Sequence, residues 1–253
     1  MKSAIVISII WLAASTILPQ SLIAQGNTKI QSFSKAKKIL TKLYQQHQIT
    51  FYCGCSYTGK KVNHASCGYK PKRTHYKSGK KNTRAYRIEW EHIVPAHAFG
   101  KSFREWRDGD PKCISKKGKS FKGRKCAGKN KNFARMEADL YNLVPAIGEV
   151  NGNRSNYSMA IIPGEVREYG GCDVEISERK VEPTEGIRGN IARTYLYMDN
   201  VYPHRGIISK KNRKMFEAWD KADPVDVWEC ERAKLIERVQ GNENPFVKDR
   251  CSR

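Results

Sequence analysis

The feature that most constrains this chain is its cysteines: Cys53, Cys55, Cys67, Cys113, Cys126, Cys172, Cys230 and Cys251 all lie beyond an N-terminal segment that reads as a secretory signal. An even count in an exported chain implies four disulfides, which persist only in an oxidising compartment. The signal reading rests on order. Met1-Lys2 is followed by a mostly apolar run from Ala4 to Leu18 and by small and polar residues through Gln25, so cleavage is expected after Ala24. That run is interrupted by Ser15 and Thr16 and is shorter than the roughly 20 apolar residues of a membrane span. The expectation is a signal over 1–24 and one mature domain over 25–253, periplasmic or secreted and without a membrane span. Cys55 with Cys67 and Cys113 with Cys126 are plausible short loops. Cys53, Cys172, Cys230 and Cys251 are left to tie distant segments, in an order the sequence leaves open. A zinc site is the poorer reading, because Cys53-Gly54-Cys55 has one intervening residue and no second close pair follows.

Charge narrows the partner. The formal net charge is +22, and Lys2 is the only charge inside the signal. Such a balance implies a polyanion, either nucleic acid or an anionic surface. Lys70 to Arg87 holds eight Lys/Arg and no acid, and Lys101 to Arg135 holds thirteen against Glu105, Asp108 and Asp110. A basic run is often only a solvated face. These two, however, flank the adjacent pair Glu91-His92.

Periodicity predicts a helix over Ser34 to Gln48, with Ile39, Leu40, Leu43 and Tyr44 on one side, then an extended cysteine-bearing segment from Phe51 to Tyr57. Tyr86 to Val94 alternates as a strand ended by Pro95. Residues 101–131 form a Lys-rich insertion with little to bury, held by Cys113 and Cys126. Helices are expected over Asn132 to Leu140, Ala146 to Tyr157, Lys210 to Ala222 and Val225 to Gly241, with a short extended piece over Leu140 to Pro145. Gly189 to Asp199 suits helix or strand.

Two constellations carry chemistry. In the first, a neutral imidazole beside a carboxylate at a strand end suits metal-assisted hydrolysis: Glu91 can hold a hard cation and His92 can take a proton from water. Strand alternation points the two side chains apart, so a shared site needs a bend, which Pro95 makes credible. An isolated Glu-His pair is more often a surface acid beside a core histidine. The second constellation, Asp139 to Asn156, gives a short strand with Asn142 near its start, then a helix carrying Asn151 and Arg154. An amide oxygen is an acceptable ligand for magnesium or calcium. Asn153 and Asn156 fit caps and turns. Among the other histidines, His97 reads as an accessory or surface residue, and His47, His64, His75 and His204 as structural or exposed.

Together, E-W-E-H-I-V-P-A (89–96) and D-L-Y-N-L-V-P-A-I-G-E-V-N-G-N-R-S-N (139–156) resemble the ββα-metal, or His-Me finger, motif as it occurs in the endonuclease I family of periplasmic and secreted bacterial nucleases. The likeness extends through F-Y-C-G-C at Phe51, A-S-C-G-Y at Ala65, R-K-V at Arg179, G-N-I-A-R-T-Y-L-Y-M at Gly189, and W-E-C-E-R with G-N-E-N-P-F-V near the end. It implies an α+β single domain, disulfide-stabilised and built around that motif, acting as a monomer. It implies His92 as general base, Glu91 and Asn151 as ligands of one Mg2+ (with Mn2+ or Ca2+ as alternatives), and Asn142 orienting His92 or its loop, Asn142 as the ligand remaining open. Arg124 matches a family arginine that holds the scissile phosphate, although the surrounding insertion is longer and richer in lysine than the family pattern. The implied activity is hydrolysis of DNA, and of RNA, to 5′-phosphorylated fragments with weak sequence specificity. An ordinary imidazole would lose activity below about pH 6.5. Two other readings compete: a non-catalytic basic protein that binds extracellular DNA or an anionic envelope, and a metal-free ribonuclease. The first leaves both motifs unexplained, and the second wants two acid-base groups where only His92 is well placed.

Overall fold

The structure, a computed structural model, describes residues 25–164 and 166–251; the signal expected over 1–24 lies outside the described residues. Helix α1 (Phe33–Leu43) starts where Ser32 Oγ accepts from the Lys35 N–H, and it buries Ala36 and Leu40. A small hairpin of β1 (Tyr57–Thr58) and β2 (Lys61–Val62) leads to β3 (Ile88–His92). Short helices α2 (Ala96–Gly100), α3 (Arg104–Arg107), α4 (Arg124–Ala127) and α5 (Lys131–Glu137) follow, then β4 (Leu143–Ile147) and, without a loop, α6 (Gly148–Arg154). The chain continues through β5 (Ser158–Met159), β6 (Val174–Ser177) and β7 (Lys180–Pro183) to the helices α7 (Arg188–Val201), α8 (Lys210–Ala222), α9 (Val227–Gln240) and α10 (Pro245–Lys248).

The centre is β3 paired antiparallel with β4, in register from Ile88 opposite Ile147 to His92 opposite Leu143, with α6 packed on both strands. β3, β4 and α6 are thus the expected ββα unit in a mixed α+β domain. Every β4 residue is buried, which suits its apolar run Leu143-Val144-Pro145-Ala146-Ile147. The Phe51 N–H donates to the Pro145 carbonyl (2.8 Å), and the Ile88 N–H donates to the Lys60 carbonyl (2.8 Å), so flanking loops occupy the outer edges of both strands. Gly148 and Gly152 look wrong for a helix until their neighbours are placed. A Cβ at Gly148 would lie 2.9 Å from the Arg84 carbonyl oxygen, and one at Gly152 would lie 2.4 Å from Arg84 Nη1.

Four disulfides form: Cys53–Cys172, Cys55–Cys67, Cys113–Cys126 and Cys230–Cys251. The two short loops are as expected, and the other four cysteines divide into one bridge spanning 119 residues and one spanning 21. Several elements depart from the sequence reading. Phe51–Cys53 is a turn rather than extended chain, because the Thr50 N–H donates to the Cys55 carbonyl, the Cys55 N–H donates to Thr50 Oγ1 and Gly54 takes a φ of 65°. The segment is extended only at its end, where Ser56 bridges Ile49 and Tyr57 begins β1. Leu140–Asn142 is a 3-10 turn started by the Asp139 side chain, which delays the strand to Leu143. Gly189 to Asp199 is helical, and α7 is buried around nearly its whole circumference, which erases the amphipathic signal. The insertion has more to bury than expected: Phe99 and Phe103 pack with Trp106 and Phe133, while a Lys-rich tip with an Ile114–Ser120 bridge projects from that cluster.

Asp139 draws distant segments together. Its Oδ2 accepts from Tyr197 Oη (2.9 Å), Tyr202 Oη (2.7 Å) and the Asn27 N–H (3.4 Å). Its Oδ1 accepts from Gln240 Nε2 (2.9 Å) and the Tyr141 N–H (3.1 Å). Burial pushes this carboxyl up, and the Gln240, Tyr202 and Tyr197 donors pull it back. Asp139→Ala is expected to lower stability by about 3 kcal/mol or more, since it strands several buried donors at once. A urea unfolding midpoint indistinguishable from the parent would contradict this.

Candidate active site

β3 ends with Glu91 and His92 both buried, at 4% and 6% exposure, and facing different groups as strand alternation requires. The end of β3 is held by Arg154, the last residue of α6, itself 1% exposed. Its Nη1 donates to Glu91 Oε1 (3.0 Å) and to the His92 carbonyl (2.8 Å), and its Nη2 donates to the Ile93 carbonyl. One guanidinium therefore holds the Glu91 carboxylate and the two carbonyls where the strand turns away. Asn142 pins the next residue: its Oδ1 accepts from the Val94 N–H (2.7 Å) and its Nδ2 donates to the Val94 carbonyl (3.0 Å). With both amide ends spent on Val94 and no exposure, Asn142 acts on the loop after His92.

His92 lies in a second cluster. Its Nε2 is 2.8 Å from the Glu137 carbonyl, an acceptor only, so Nε2 carries the proton and Nδ1 keeps the lone pair. The Phe33 ring packs against the imidazole with centroids 4.8 Å apart. Arg124 sits over the same Phe33 ring at 5.4 Å, and its Nε donates to Glu137 Oε1 (2.5 Å). Glu137 thus orients the histidine through its main chain and the arginine through its side chain. Arg124 is half exposed, and the Cys113–Cys126 bridge fastens its helix α4 to the Lys-rich tip.

Asn151 is half-buried on α6, one turn before Arg154, and its Nδ2 faces Glu89 Oε2 at 3.5 Å. The structure therefore joins His92 to Arg124 and Glu91 to Arg154, and it sets Asn151 beside Glu89. Arg154, Glu137, Phe33 and Tyr52, whose Oη lies 3.5 Å from Glu91 Oε1, were not singled out from sequence. Only Arg154 carried a signal, being three residues after Asn151 in the same motif.

A family model for endonuclease I matches residues 25–251. The chain belongs to the endonuclease I family. An extracellular deoxyribonuclease of Aeromonas hydrophila is 47% identical over 88% of the chain and 90% of that relative. A periplasmic deoxyribonuclease of the same organism is 45% identical over 87% of each. Endonuclease-1 of Buchnera aphidicola is 44% identical over 88% of the chain and 82% of that relative. No helix among the described residues is long and apolar enough to cross a membrane.

Burial acts on the two central side chains of this endonuclease I site with opposite sign. It pushes the Glu91 carboxyl up to about 7, against the pull of Arg154, the His92 N–H and Tyr52. It pushes the His92 imidazole down to about 3, helped by the nearby Arg124 and Arg154 cations. Burial thus favours the neutral imidazole further into the acid range than the ordinary value near 6.5 would. Nitrogen NMR of the His92 ring is expected to report a neutral, Nε2-protonated imidazole throughout pH 5 to 8. A titration centred near 6.5 would overturn that assignment.

Proposed function

We propose that this protein hydrolyses phosphodiester bonds of DNA, and of RNA, outside the cytoplasm, as a monomer, leaving 5′-phosphorylated fragments with little regard for sequence. The observation that carries the reading is the His92 ring, neutral, buried and held by Glu137 so that only Nδ1 is free to accept a proton. Its relatives' names as deoxyribonucleases, one extracellular and one periplasmic, support the substrate and the compartment.

The residues fit a hard divalent cation. Burial pushes the Glu91 carboxyl up to about 7 even with the Arg154 guanidinium 3.0 Å away, so a bound cation would offset the cost of keeping that carboxylate charged out of water. Among the described residues no group of three or more His, Cys, Asp or Glu could hold a metal ion. The donors on offer are one carboxylate, Glu91, and one amide oxygen, Asn151. A sparse oxygen set of this kind suits Mg2+, which keeps waters and shares substrate phosphates, with Mn2+ and Ca2+ as competitors. When bound, the ion would neutralise the negative charge that develops on the phosphate and the leaving 3′ oxygen.

The chain's own groups do the rest. His92 Nδ1 takes the proton of the attacking water as its oxygen bonds phosphorus, and the 3′ oxygen leaves and is protonated by solvent. Arg124 keeps Nε on Glu137, and its terminal nitrogens supply paired donors to the phosphate being cut. Asn142 holds the loop that aims His92. The lysines around Cys113–Cys126 and the Lys70 to Arg87 segment grip backbone phosphates, which carry no base information.

His92→Ala is expected to abolish cleavage of plasmid DNA while DNA affinity stays within a few-fold, and EDTA should stop the parent. Binding without cleavage by the parent would instead favour a basic scavenger of DNA, and EDTA-resistant cutting of RNA would favour the metal-free chemistry. A second expectation concerns pH. Glu91 must lose its proton to hold a cation, so Mn2+ affinity should rise about tenfold per pH unit below 7 and level off above it. Calorimetry in two buffers would read the released proton; an affinity flat from pH 5 to 8 would exclude Glu91 as the ligand.

A further inference from the structure

An asparagine is an ambiguous ligand, because its side chain ends in an oxygen that suits a cation and a nitrogen that repels one. Something must choose which end faces the cation. Glu89 lies on the same face of β3 as Glu91, and α6 addresses the two acids one turn apart: Asn151 meets Glu89 and Arg154 meets Glu91. The Glu89 carboxylate is held by Arg84, whose Nε donates to Oε1 (2.9 Å) and Nη2 to Oε2 (2.6 Å), and by Arg87 Nη2 on Oε1 (3.2 Å). With two guanidiniums on it, Glu89 has little call for further positive charge. Its Oε2 still accepts from Asn151 Nδ2 at 3.5 Å. A carboxylate accepts and never donates, so turning the amide oxygen toward Glu89 would press two acceptors together. The groove that admits this arrangement is built into α6 on either side of Asn151. A Cβ at Gly148 would come within 2.9 Å of Glu89 Cδ and Oε1, and one at Gly152 within 2.4 Å of Arg84 Nη1.

We propose that Glu89, braced by Arg84, is a positioning residue that holds the Asn151 amide with nitrogen inward and oxygen toward the cation. The proposal rests on the reading of Asn151 as a cation ligand and assigns Glu89 no contact with the ion. The two glycines are then required for orientation rather than for helix flexibility.

The test is direct Mn2+ titration of the purified protein, reading free Mn2+ by electron paramagnetic resonance, with no substrate present. Glu89→Gln is expected to weaken Mn2+ binding by about tenfold or more. Arg84 keeps the glutamine oxygen, so the glutamine nitrogen turns toward Asn151 and draws its oxygen away from the cation. Adding Asn151→Asp to that variant should restore binding, since a carboxylate has an oxygen on both sides. If Glu89→Gln does not fold, Glu89→Ala serves: Arg84 is then free to take the Asn151 oxygen, and Asn151→Asp should again rescue. Unchanged affinity in Glu89→Gln, or a loss that Asn151→Asp leaves in place, overturns the proposal. Asn151→Ala separates the two levels. If it binds Mn2+ as tightly as the parent, the ligand assignment falls and the positioning role with it. If it weakens binding and Glu89→Gln does not, only the positioning role falls.

Discussion

The geometry of the site depends on one buried guanidinium. Arg154 sits at the end of α6 with almost no solvent contact, and it binds the Glu91 carboxylate together with the carbonyls of His92 and Ile93. A buried charge is tolerated only where it is paired and hydrogen-bonded, so Arg154 and Glu91 require each other. Because the same guanidinium also holds main-chain oxygens, this requirement becomes a backbone shape. The strand turns after His92, and the Asn142 side chain fixes Val94 two residues further on.

Burial then tunes those side chains. Removing a group from water favours its neutral form, whichever that is. For His92 the neutral form is the one the proposed base would need, and Arg124 and Arg154 strengthen the preference. For Glu91 burial outweighs the pull of Arg154, so the carboxyl is held well above its ordinary range. A single physical effect thus shifts two adjacent side chains in opposite directions, which is what the proposed base and the proposed ligand would each use.

Much of this was legible in the sequence where a pattern is local. β3 showed as alternation and α8 as an amphipathic stretch, and the two motifs showed the family. Of the residues they named, the structure brings Arg124 and His92 together on Glu137 and puts Asn142 on the loop after His92, while it sets Asn151 beside Glu89. What stayed hidden is mostly non-local or main-chain. The Glu137 carbonyl that sets the His92 tautomer has no side-chain signature, and Phe33 packs on His92 from a helix 59 residues earlier in number (33 against 92). The turn at Thr50 to Cys55 was misread as extended because its shape comes from two disulfides and Gly54, not from propensity. The sheet of β5, β7 and β6 has strands of four residues or fewer with charged members, too short for alternation to stand out. The downward shift of the His92 imidazole was not legible because burial cannot be read from a residue's type.

The Cys113–Cys126 bridge has a consequence beyond rigidity. It closes a loop that contains Arg124 itself, two residues before its second cysteine, and that stretch is anchored separately by the Gly123 N–H on the Trp106 carbonyl (3.0 Å) and by Arg124 Nε on Glu137 Oε1 (2.5 Å). Loop closure becomes costlier only slowly with length. The residues beyond those anchors, from Ile114 to Lys122, can therefore change in length and charge across generations while both anchors stay intact, and a nuclease can acquire a new grip on its polymer without moving that arginine.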